Sequence, residues 1–176
     1  MRVRTAWDAK PNPAHFAIAE LESRAAELTL VTSNVDPLHE RAGSTVVHKL
    51  HGDILQTRCT GCGRVARLRT ERYPEELDEE TLPSCETCGG MLRPNVVWFG
   101  ESPWPEAIAA IRVALPRANV LLEVGTSGTV GYGLDAMAHG MGIPVVRINP
   151  DPRPGLGVTE LNGPAEDILP RLLDTL

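Results

Sequence analysis

The sequence lacks a long apolar run and has little positive charge. No stretch approaches the ~18 continuous apolar residues that span a bilayer, and the first residues, MRVRTAWDAK, lack the apolar run of a signal peptide. These absences predict a cytoplasmic protein without membrane contact. The formal net charge is -6 and the arginines form no long basic run, which disfavours a general nucleic-acid binder because phosphate binding needs a basic surface.

The length limits the number of domains. With 176 residues and 19.0 kDa, the chain can bury one good core. We therefore expect one domain, with room for a small additional module, and not two large domains.

The four cysteines form two Cys-x-x-Cys pairs. Cys59 and Cys62 lie in CTGCG, and Cys85 and Cys88 lie in CETCGG. This spacing is typical of a zinc ribbon with a structural metal site. A glycine follows each pair and can take the positive φ that turns amide N–H groups toward sulfur. Disulfides are disfavoured in a protein that is not exported, and a redox pair would not need a second copy.

Four thiolates saturate a tetrahedral zinc ion, so His51, a few residues before the first pair, is not needed as a ligand. The segment RTERYPEELDEETLP, between the two pairs, is acidic and poor in apolar residues. It is predicted to be a solvated loop held at its base by the metal.

The remaining sequence alternates helices and strands. Apolar spacing after Asn12 and Pro13 predicts a helix over Pro13–Glu27, and a short helix is expected with Asp36 at its cap and Gly43 at its end. A further helix is predicted over Pro105–Leu115. The predicted strands are LTLVTSN, VVHKLHG, NVLLEVG and PVVRIN, and the last predicted helix is LDAMAHGM.

This alternation predicts an α/β fold with a parallel sheet and the zinc ribbon inserted as a separate lobe. Ligands of such sheets bind beyond the carboxyl ends of the strands, where TSN, VGTSG and RIN are expected. Glycines and short polar residues there suit a ligand that carries phosphate and ribose. Taken singly, GTSGTVGYG could be an ordinary turn, His51 a structural histidine, and Asn34 and Asp36 turn and cap residues.

The order of the motifs adds a resemblance. TSNVDPLHERAGS, KLHGDILQTRC, the two cysteine pairs, LRPNVVWFGE, VGTSG and RINPDP follow one another as they do in sirtuins, and the chain resembles the bacterial protein deacylases of that family. The resemblance runs from PNPAH to the C-terminus. It implies a Rossmann-like NAD-binding domain formed by residues 1–56 and 97–176, with a zinc-ribbon domain at 57–96.

The resemblance also implies an activity, the NAD-dependent removal of acyl groups from lysine. The acyl oxygen attacks the nicotinamide ribose, nicotinamide leaves, and a histidine acts as general base on a ribose hydroxyl. That histidine corresponds to His51, and an imidazole that is mostly neutral at physiological pH suits the role.

Other site residues follow from the same resemblance. Asn34 and Asp36 would take part in catalysis and, with Ser33, line the nicotinamide and ribose pocket. Gly125, Thr126 and Ser127 resemble the turn that contacts phosphate and ribose, and Asn149 the asparagine near the adenosine ribose. The acyl-lysine substrate would pair as an added strand with the segment that contains Val97, Phe99, Gly100 and Glu101.

The sequence departs from the family at several places, among them Pro37, which stands where the family usually has no proline. Ser33 stands where the family has glutamine. No Gly-Ala-Gly-x-Ser turn occurs in the sequence, although in the family that part supplies the first strand and the main pyrophosphate cradle. The sheet is therefore expected to be N-terminally incomplete, with a second chain or upstream sequence as a candidate source of the missing part.

Three hypotheses follow. The protein is a deacylase completed by another segment, or a zinc-stabilised module that binds a peptide or a partner without turning over NAD, or a zinc-ribbon nucleic-acid binder. The acidic charge balance makes the third the weakest.

Overall fold

The computed structural model describes residues 2–68, 82–126, 133–151, 153 and 155–175. The acidic segment between the two cysteine pairs lies mostly outside these residues, and so does most of the turn after VGT. The helices are α1 (Arg2–Asp8), α2 (Pro13–Arg24), α3 (Leu38–Ala42), α4 (Pro105–Ala114), α5 (Leu134–Gly140) and α6 (Ala165–Leu173). The strands are β1 (Leu30–Thr32), β2 (Val47–Lys49), β3 (Gly52–Cys59), β4 (Val65–Arg67), β5 (Leu92–Val96), β6 (Leu121–Val124), β7 (Val145–Asn149) and β8 (Val158–Asn162).

Helix α2 begins as predicted and ends early. The Asn12 side chain accepts a hydrogen bond from the His15 N–H, and Pro13 occupies the first turn, which makes a strong N-terminus. The predicted end at Glu27 is wrong because Ala25 already has an extended backbone, with ψ of 144°. Helix α4 likewise ends at Ala114, one residue before the predicted end, and tightens into a 3-10 turn at Leu115–Arg117.

The strands form three sheets. β1 and β2 pair in parallel, β6, β7 and β8 form a parallel sheet in that order, and β3 pairs in antiparallel fashion with β4 on one side and β5 on the other. The predicted α/β fold with parallel strands and a cysteine-bearing insert is confirmed. Strand β3 crosses the predicted domain boundary at 56/57, because it runs without interruption from the turn at His51 to Cys59.

Two apolar clusters hold the helices on the parallel sheets. Leu50, Ile111, Ala138 and Val145 are buried in the first cluster, and Val31 packs against it. The two parallel sheets therefore share one core, since Val31 belongs to β1 and Val145 to β7. The second cluster joins α2 and α6 to the other face of β6 and β7, with Ala14, Ala17, Ile148, Leu169 and Leu173 buried.

The last strand and helix were not predicted. β8 is short and only partly buried, with the sequence VTELN, so its apolar alternation is weak. Helix α6 contains Pro170, which argues against a helix in sequence analysis, yet its apolar residues Leu169 and Leu173 are buried on α2. In the part of the chain that the structure describes, no helix combines the length and apolarity needed to cross a membrane.

Candidate functional site

The four cysteine sulfurs converge at one point of the β3–β4–β5 sheet. All four Sγ atoms lie within 4.8 Å of one another. The Cys59 and Cys88 sulfurs are 3.4 Å apart, and those of Cys62 and Cys85 are 3.8 Å apart. Zn–S bonds of about 2.3 Å in a tetrahedron place sulfurs about 3.8 Å apart. The cluster therefore fits a structural zinc ion, which the four thiolates would hold with no open position.

Backbone amides stabilise the thiolates of both cysteine pairs, here called the first knuckle (Cys59 and Cys62) and the second knuckle (Cys85 and Cys88). The N–H groups of Gly61 and Cys62 point at the Cys59 sulfur, at 3.4 and 3.5 Å. In the second knuckle, hydrogen bonds from the Thr87 and Cys88 amides lower the pKa of Cys85 to about 6. The lowered pKa of Cys85 favours the anionic form that binds metal, whereas contacts with the neighbouring thiols raise the pKa of Cys88.

The glycine after each pair takes the positive φ that the sequence predicts. φ is +73° at Gly63 and +72° at Gly89, so the chain turns tightly beneath each cysteine pair. The same turn occurs after both cysteine pairs and directs amide N–H groups at sulfur. This arrangement supports a metal site, because it stabilises the thiolates that bind metal.

His51 lies in the turn between β2 and β3, directly after the carboxyl end of β2. Its Nδ1 is 2.9 Å from the carbonyl oxygen of Ser33. A carbonyl only accepts, so Nδ1 donates and the neutral imidazole carries its lone pair on Nε2. The Val97 N–H donates to the His51 carbonyl at 2.9 Å, which joins the turn to the segment after β5. The predicted strand VVHKLHG is therefore shorter than expected and ends at Lys49.

Asn34 and Asp36 follow the carboxyl end of β1. The hydrogen bond between His51 and the Ser33 carbonyl places this segment beside the His51 turn. The Asn34 N–H donates to the Thr32 hydroxyl at 3.1 Å, and its side chain is exposed. The prediction that Asp36 caps α3 is wrong, because the cap residue is Pro37. Asp36 instead accepts the Leu38 N–H through Oδ1 at 3.1 Å, an Asx turn that leads into the helix. Gly43 ends α3 as predicted, with φ of 110°.

Asn149 and Thr126 form a second group, at the carboxyl ends of β7 and β6. The Asn149 Nδ2 donates to the Thr126 carbonyl at 2.6 Å, and its Oδ1 accepts the Asp151 N–H at 3.1 Å. Gly125 has φ of +62° and donates its N–H to Ile148. One amide side chain thus ties both loops together. Ser127, the third residue of the predicted turn, lies outside the described residues.

Arg147 supports this group and was missed by sequence analysis. It is 4% exposed, and its guanidinium forms ion pairs of 2.8 to 2.9 Å with three carboxylates, those of Glu123, Asp135 and Glu160. Glu123 and Glu160 are its partners across β6 and β8. An arginine in the predicted apolar strand PVVRIN was the available signal, because a buried charge needs partners.

The segment after β5 exposes aromatic side chains. Phe99 is fully exposed and Gly100 has φ of +90°. Glu101 is exposed but is bound within the segment: both its oxygens accept from Arg93, at 2.7 and 2.9 Å, and one also accepts the Trp98 N–H. The Arg93 guanidinium lies 3.7 Å from the centre of the Trp98 ring. Glu101 therefore connects the Arg93 side chain to the Trp98 backbone and stabilises the conformation of this segment.

These features define a class: a Rossmann-like α/β protein with polar loops after its parallel strands and a four-cysteine metal lobe. Comparison with known proteins specifies the family. The sequence model of the Sir2 family matches residues 1–131. The chain is 41% identical over 177 residues to the NAD-dependent protein deacylase 2 of Pyrobaculum aerophilum, covering 98% of this chain and 69% of that protein. It is 44% identical over 170 residues to the NAD-dependent protein deacylase 1 of Pseudomonas aeruginosa, covering 93% and 68%.

Solved structures agree. A Sir2 homologue in complex with NAD superposes with a TM-score of 0.86 at 36% identity, over 97% of this chain and 66% of that one. A Sir2 protein bound to an acetylated peptide superposes with a TM-score of 0.85 at 28% identity, over 97% of this chain and 73% of the other. The chain belongs to the Sir2 family and spans about two thirds of the length of these relatives.

Proposed function

We propose that this protein is an NAD-dependent protein lysine deacylase, with NAD as co-substrate and zinc as a structural ion. One observation carries the proposal. Residues of the predicted site follow the carboxyl ends of four parallel strands: Asn34 after β1, His51 after β2, Gly125 after β6, and Asn149 at the end of β7. Open α/β sheets bind ligands at such strand ends. The related deacylases at about 40% identity support the activity.

His51 is the proposed general base. NAD supplies a ribose carbon that accepts the acyl oxygen as nicotinamide leaves. His51 would then take the proton of a ribose hydroxyl, which attacks the acyl carbon; with water, the bond from that carbon to the lysine nitrogen breaks, and free lysine and acylated ADP-ribose are released. The hydrogen bond to Ser33 supports this role because it leaves the basic lone pair on Nε2. Asn34 and Asp36, on the segment hydrogen-bonded to His51, would face nicotinamide and its ribose together with Ser33.

The second group would hold the adenosine half of NAD. Gly125 and Thr126, with Ser127 beyond the described residues, would contact phosphate and ribose. Backbone N–H groups at a glycine turn approach phosphate oxygens closely, which supports this assignment. Asn149 would contact the adenosine ribose. Its side chain already connects the loop after β6 with the loop after β7.

The substrate would be an acyl-lysine peptide or protein bound along the segment of Val97, Phe99, Gly100 and Glu101. The full exposure of Phe99 supports a binding surface, because a bare aromatic ring gains from being covered. Val97 is hydrogen-bonded to the His51 turn, which would bring the acyl group to the proposed base. The related Sir2 protein bound to an acetylated peptide supports this substrate class.

A further segment would complete the NAD site. About a third of the length of the matched relatives lies outside the part that they share with this chain. We propose that the Gly-Ala-Gly-x-Ser part of the family, in the same polypeptide or from a second chain, supplies the pyrophosphate cradle. The division into residues 1–56 with 97–176 and a metal lobe at 57–96 belongs to the same proposal.

The test is nicotinamide release from an acetyl-lysine peptide. The 176-residue chain would be assayed alone and fused to the segment of a Sir2 protein that carries the Gly-Ala-Gly-x-Ser part. We expect weak activity of the chain alone and a large gain on fusion, because holding the reacting groups together contributes several kcal/mol. His51→Ala should abolish the gain, while His139→Ala, at an exposed histidine outside the site, serves as the matched control.

Two outcomes would change the proposal. Robust turnover by the 176-residue chain alone, lost in His51→Ala, would show that the cradle is dispensable. Peptide binding without turnover in either form would favour the alternative function, a zinc-stabilised peptide-binding module, for which the exposed Phe99 is the supporting observation.

A further inference from the structure

Lys49 lies two residues before His51 and is one of only two lysines in the chain. Its side chain is 9% exposed, and its ammonium group binds two carboxylates. Nζ is 2.8 Å from Oε1 of Glu40 and 2.9 Å from Oδ2 of Asp53. A buried amino group with two anionic partners is anchored firmly, because leaving either the cation or the anions unpaired is costly.

The two partners belong to different parts of the proposed site. Glu40 is on α3, which follows Asn34 and Asp36, and Asp53 is on β3, directly after His51 and Gly52. The other oxygen of Asp53 accepts the Leu55 N–H at 2.7 Å, which fixes the orientation of that carboxylate. Lys49 therefore connects the helix behind the Asn34–Asp36 segment with the strand behind the His51 turn.

The same two segments are joined at three further points. The Leu50 N–H donates to the Thr32 carbonyl and the Ile54 N–H to the Val35 carbonyl, each at 2.9 Å, on either side of the bond between His51 and Ser33. Only the bond in the middle involves the catalytic side chain. The geometry of the bond between His51 and Ser33 depends on the position of the backbone on either side of it. Lys49, the last residue of β2, anchors that backbone through its two carboxylate partners.

Proton transfer by Lys49 does not fit its surroundings. Burial disfavours the charged form, but the hydrogen bonds that Lys49 donates to Glu40 and Asp53 outweigh burial and raise the pKa of Lys49 above its ordinary value. The ammonium group stays charged at neutral pH and binds both carboxylates.

We propose that Lys49 is a positioning residue, which through Glu40 and Asp53 holds the His51 imidazole in register with the Asn34–Asp36 segment. The kinetic part of this inference rests on the proposed deacylase function. The geometric part does not, because the orientation and tautomer of His51 are measurable without turnover.

The test compares Lys49→Met, which removes the charge and keeps most of the length, with Lys49→Arg, which keeps both. Arg117→Met is the matched control, since Arg117 pairs with Glu27 through side chains that are 64% and 61% exposed. Nitrogen NMR of the imidazoles in the 176-residue chain reports the His51 tautomer, with signals assigned by their loss in His51→Asn. Kinetics of the fused form give kcat and KM for NAD.

We expect a single Nδ1–H tautomer of His51 in the wild type, in Lys49→Arg and in Arg117→Met, and a mixture in Lys49→Met. kcat should fall on the order of tenfold in Lys49→Met, because a small misplacement of a catalytic group is costly. KM for NAD should change less than about twofold, and Lys49→Arg should recover most of kcat.

A folded Lys49→Met variant with wild-type His51 signals would overturn the inference, and so would a loss of thermal stability alone with kcat unchanged. If Lys49→Met does not fold, Asp53→Asn decides, because asparagine can still accept the Leu55 N–H. If Lys49→Met alters the His51 signals while the fused wild-type protein shows no deacylation, the positioning role is supported and the deacylase function is rejected. The two failures are therefore distinct.

Discussion

The Nδ1 of His51 lies 2.9 Å from the carbonyl oxygen of Ser33. This bond links the residue proposed as general base to the segment proposed to face nicotinamide. The contact uses the Ser33 backbone and not its side chain, so it does not depend on which side chain stands at this position.

The bond leads to a prediction for His51→Asn. The asparagine amide can donate toward the Ser33 carbonyl but cannot act as a base near neutral pH. Deacylation by the fused form should therefore fall by about 10² or more, with an unchanged melting temperature. His139→Asn is the control. Activity retained within about twofold of the wild type would remove His51 from the mechanism.

The second prediction concerns the metal. Among the described residues of the β3–β4–β5 sheet, few apolar side chains other than Ile54 and Leu55 are buried, so its fold should depend on the ion. Elemental analysis should find about one zinc per chain. Cys85→Ser should lose most of it and lower the melting temperature, whereas Thr60→Ser, within the first knuckle, should do neither. Near-zero zinc with disulfides detected by mass spectrometry would contradict the prediction.

Sequence analysis predicted the parts of this structure that local patterns determine. The paired cysteines with their glycines, the Asn12–Pro13 helix start and the apolar strands Leu121–Val124 and Val145–Asn149 all carry strong local signals. The site residues came from the order of motifs, and that order can be read without coordinates.

The supporting residues could not be predicted in this way. Lys49, Arg93 and Arg147 each bind carboxylates on other elements, and nothing local in the sequence names those partners. The strand Val158–Asn162 depends on tertiary packing, because its apolar pattern is weak. The helix Ala165–Leu173 does carry apolar residues at helical spacing, a signal that sequence analysis missed, although the helix lacks a side-chain cap and contains Pro170.

The third prediction concerns stability at mildly acidic pH. His39 is 8% exposed, and its ring centre lies 4.9 Å from that of His15. Burial lowers the pKa of both histidines, and in His39 the nearby His15 lowers it further, although Asp36 acts in the opposite direction on both. The unfolded chain therefore binds protons that the folded chain does not as the pH falls below about 6.5.

Stability should thus decrease as the pH falls from about 7 to about 5, measured as the melting temperature. His39→Gln should reduce this dependence, and His139→Gln, at an exposed position, should leave it unchanged. A slope that is the same in both variants would assign the acid sensitivity to other groups.

The fourth prediction concerns Gly52, directly after His51. Its φ is +82°, and an added Cβ would collide with the Asn95 carbonyl and lie 2.7 Å from Nε1 of Trp104. Gly52→Ala should therefore destabilise the fold by more than about 2 kcal/mol in denaturant unfolding. Gly142→Ala, at a position with φ of +74° and no neighbours within 4 Å, isolates the backbone contribution. Equal losses in both variants would rule out the collision.

The last prediction concerns Glu101, which the sequence assigned to substrate binding. The hydrogen bonds from Arg93 hold the pKa of Glu101 at about 2, with a further contribution from the Trp98 N–H. The stabilisation from Glu101 is therefore present above its ordinary value of 4.5 and is lost only as the pH falls toward 2, well below the range in which His39 acts.

Glu101→Gln keeps the shape of the side chain and removes the charge that Arg93 binds. The segment that carries Trp98 and Phe99 should become less ordered, so KM for the acyl-lysine peptide should rise several-fold while kcat and KM for NAD stay near wild type. Glu20→Gln is the matched control, because Glu20 pairs with Arg24 on the surface of α2. An unchanged peptide KM with altered kcat would instead place Glu101 in the chemical step.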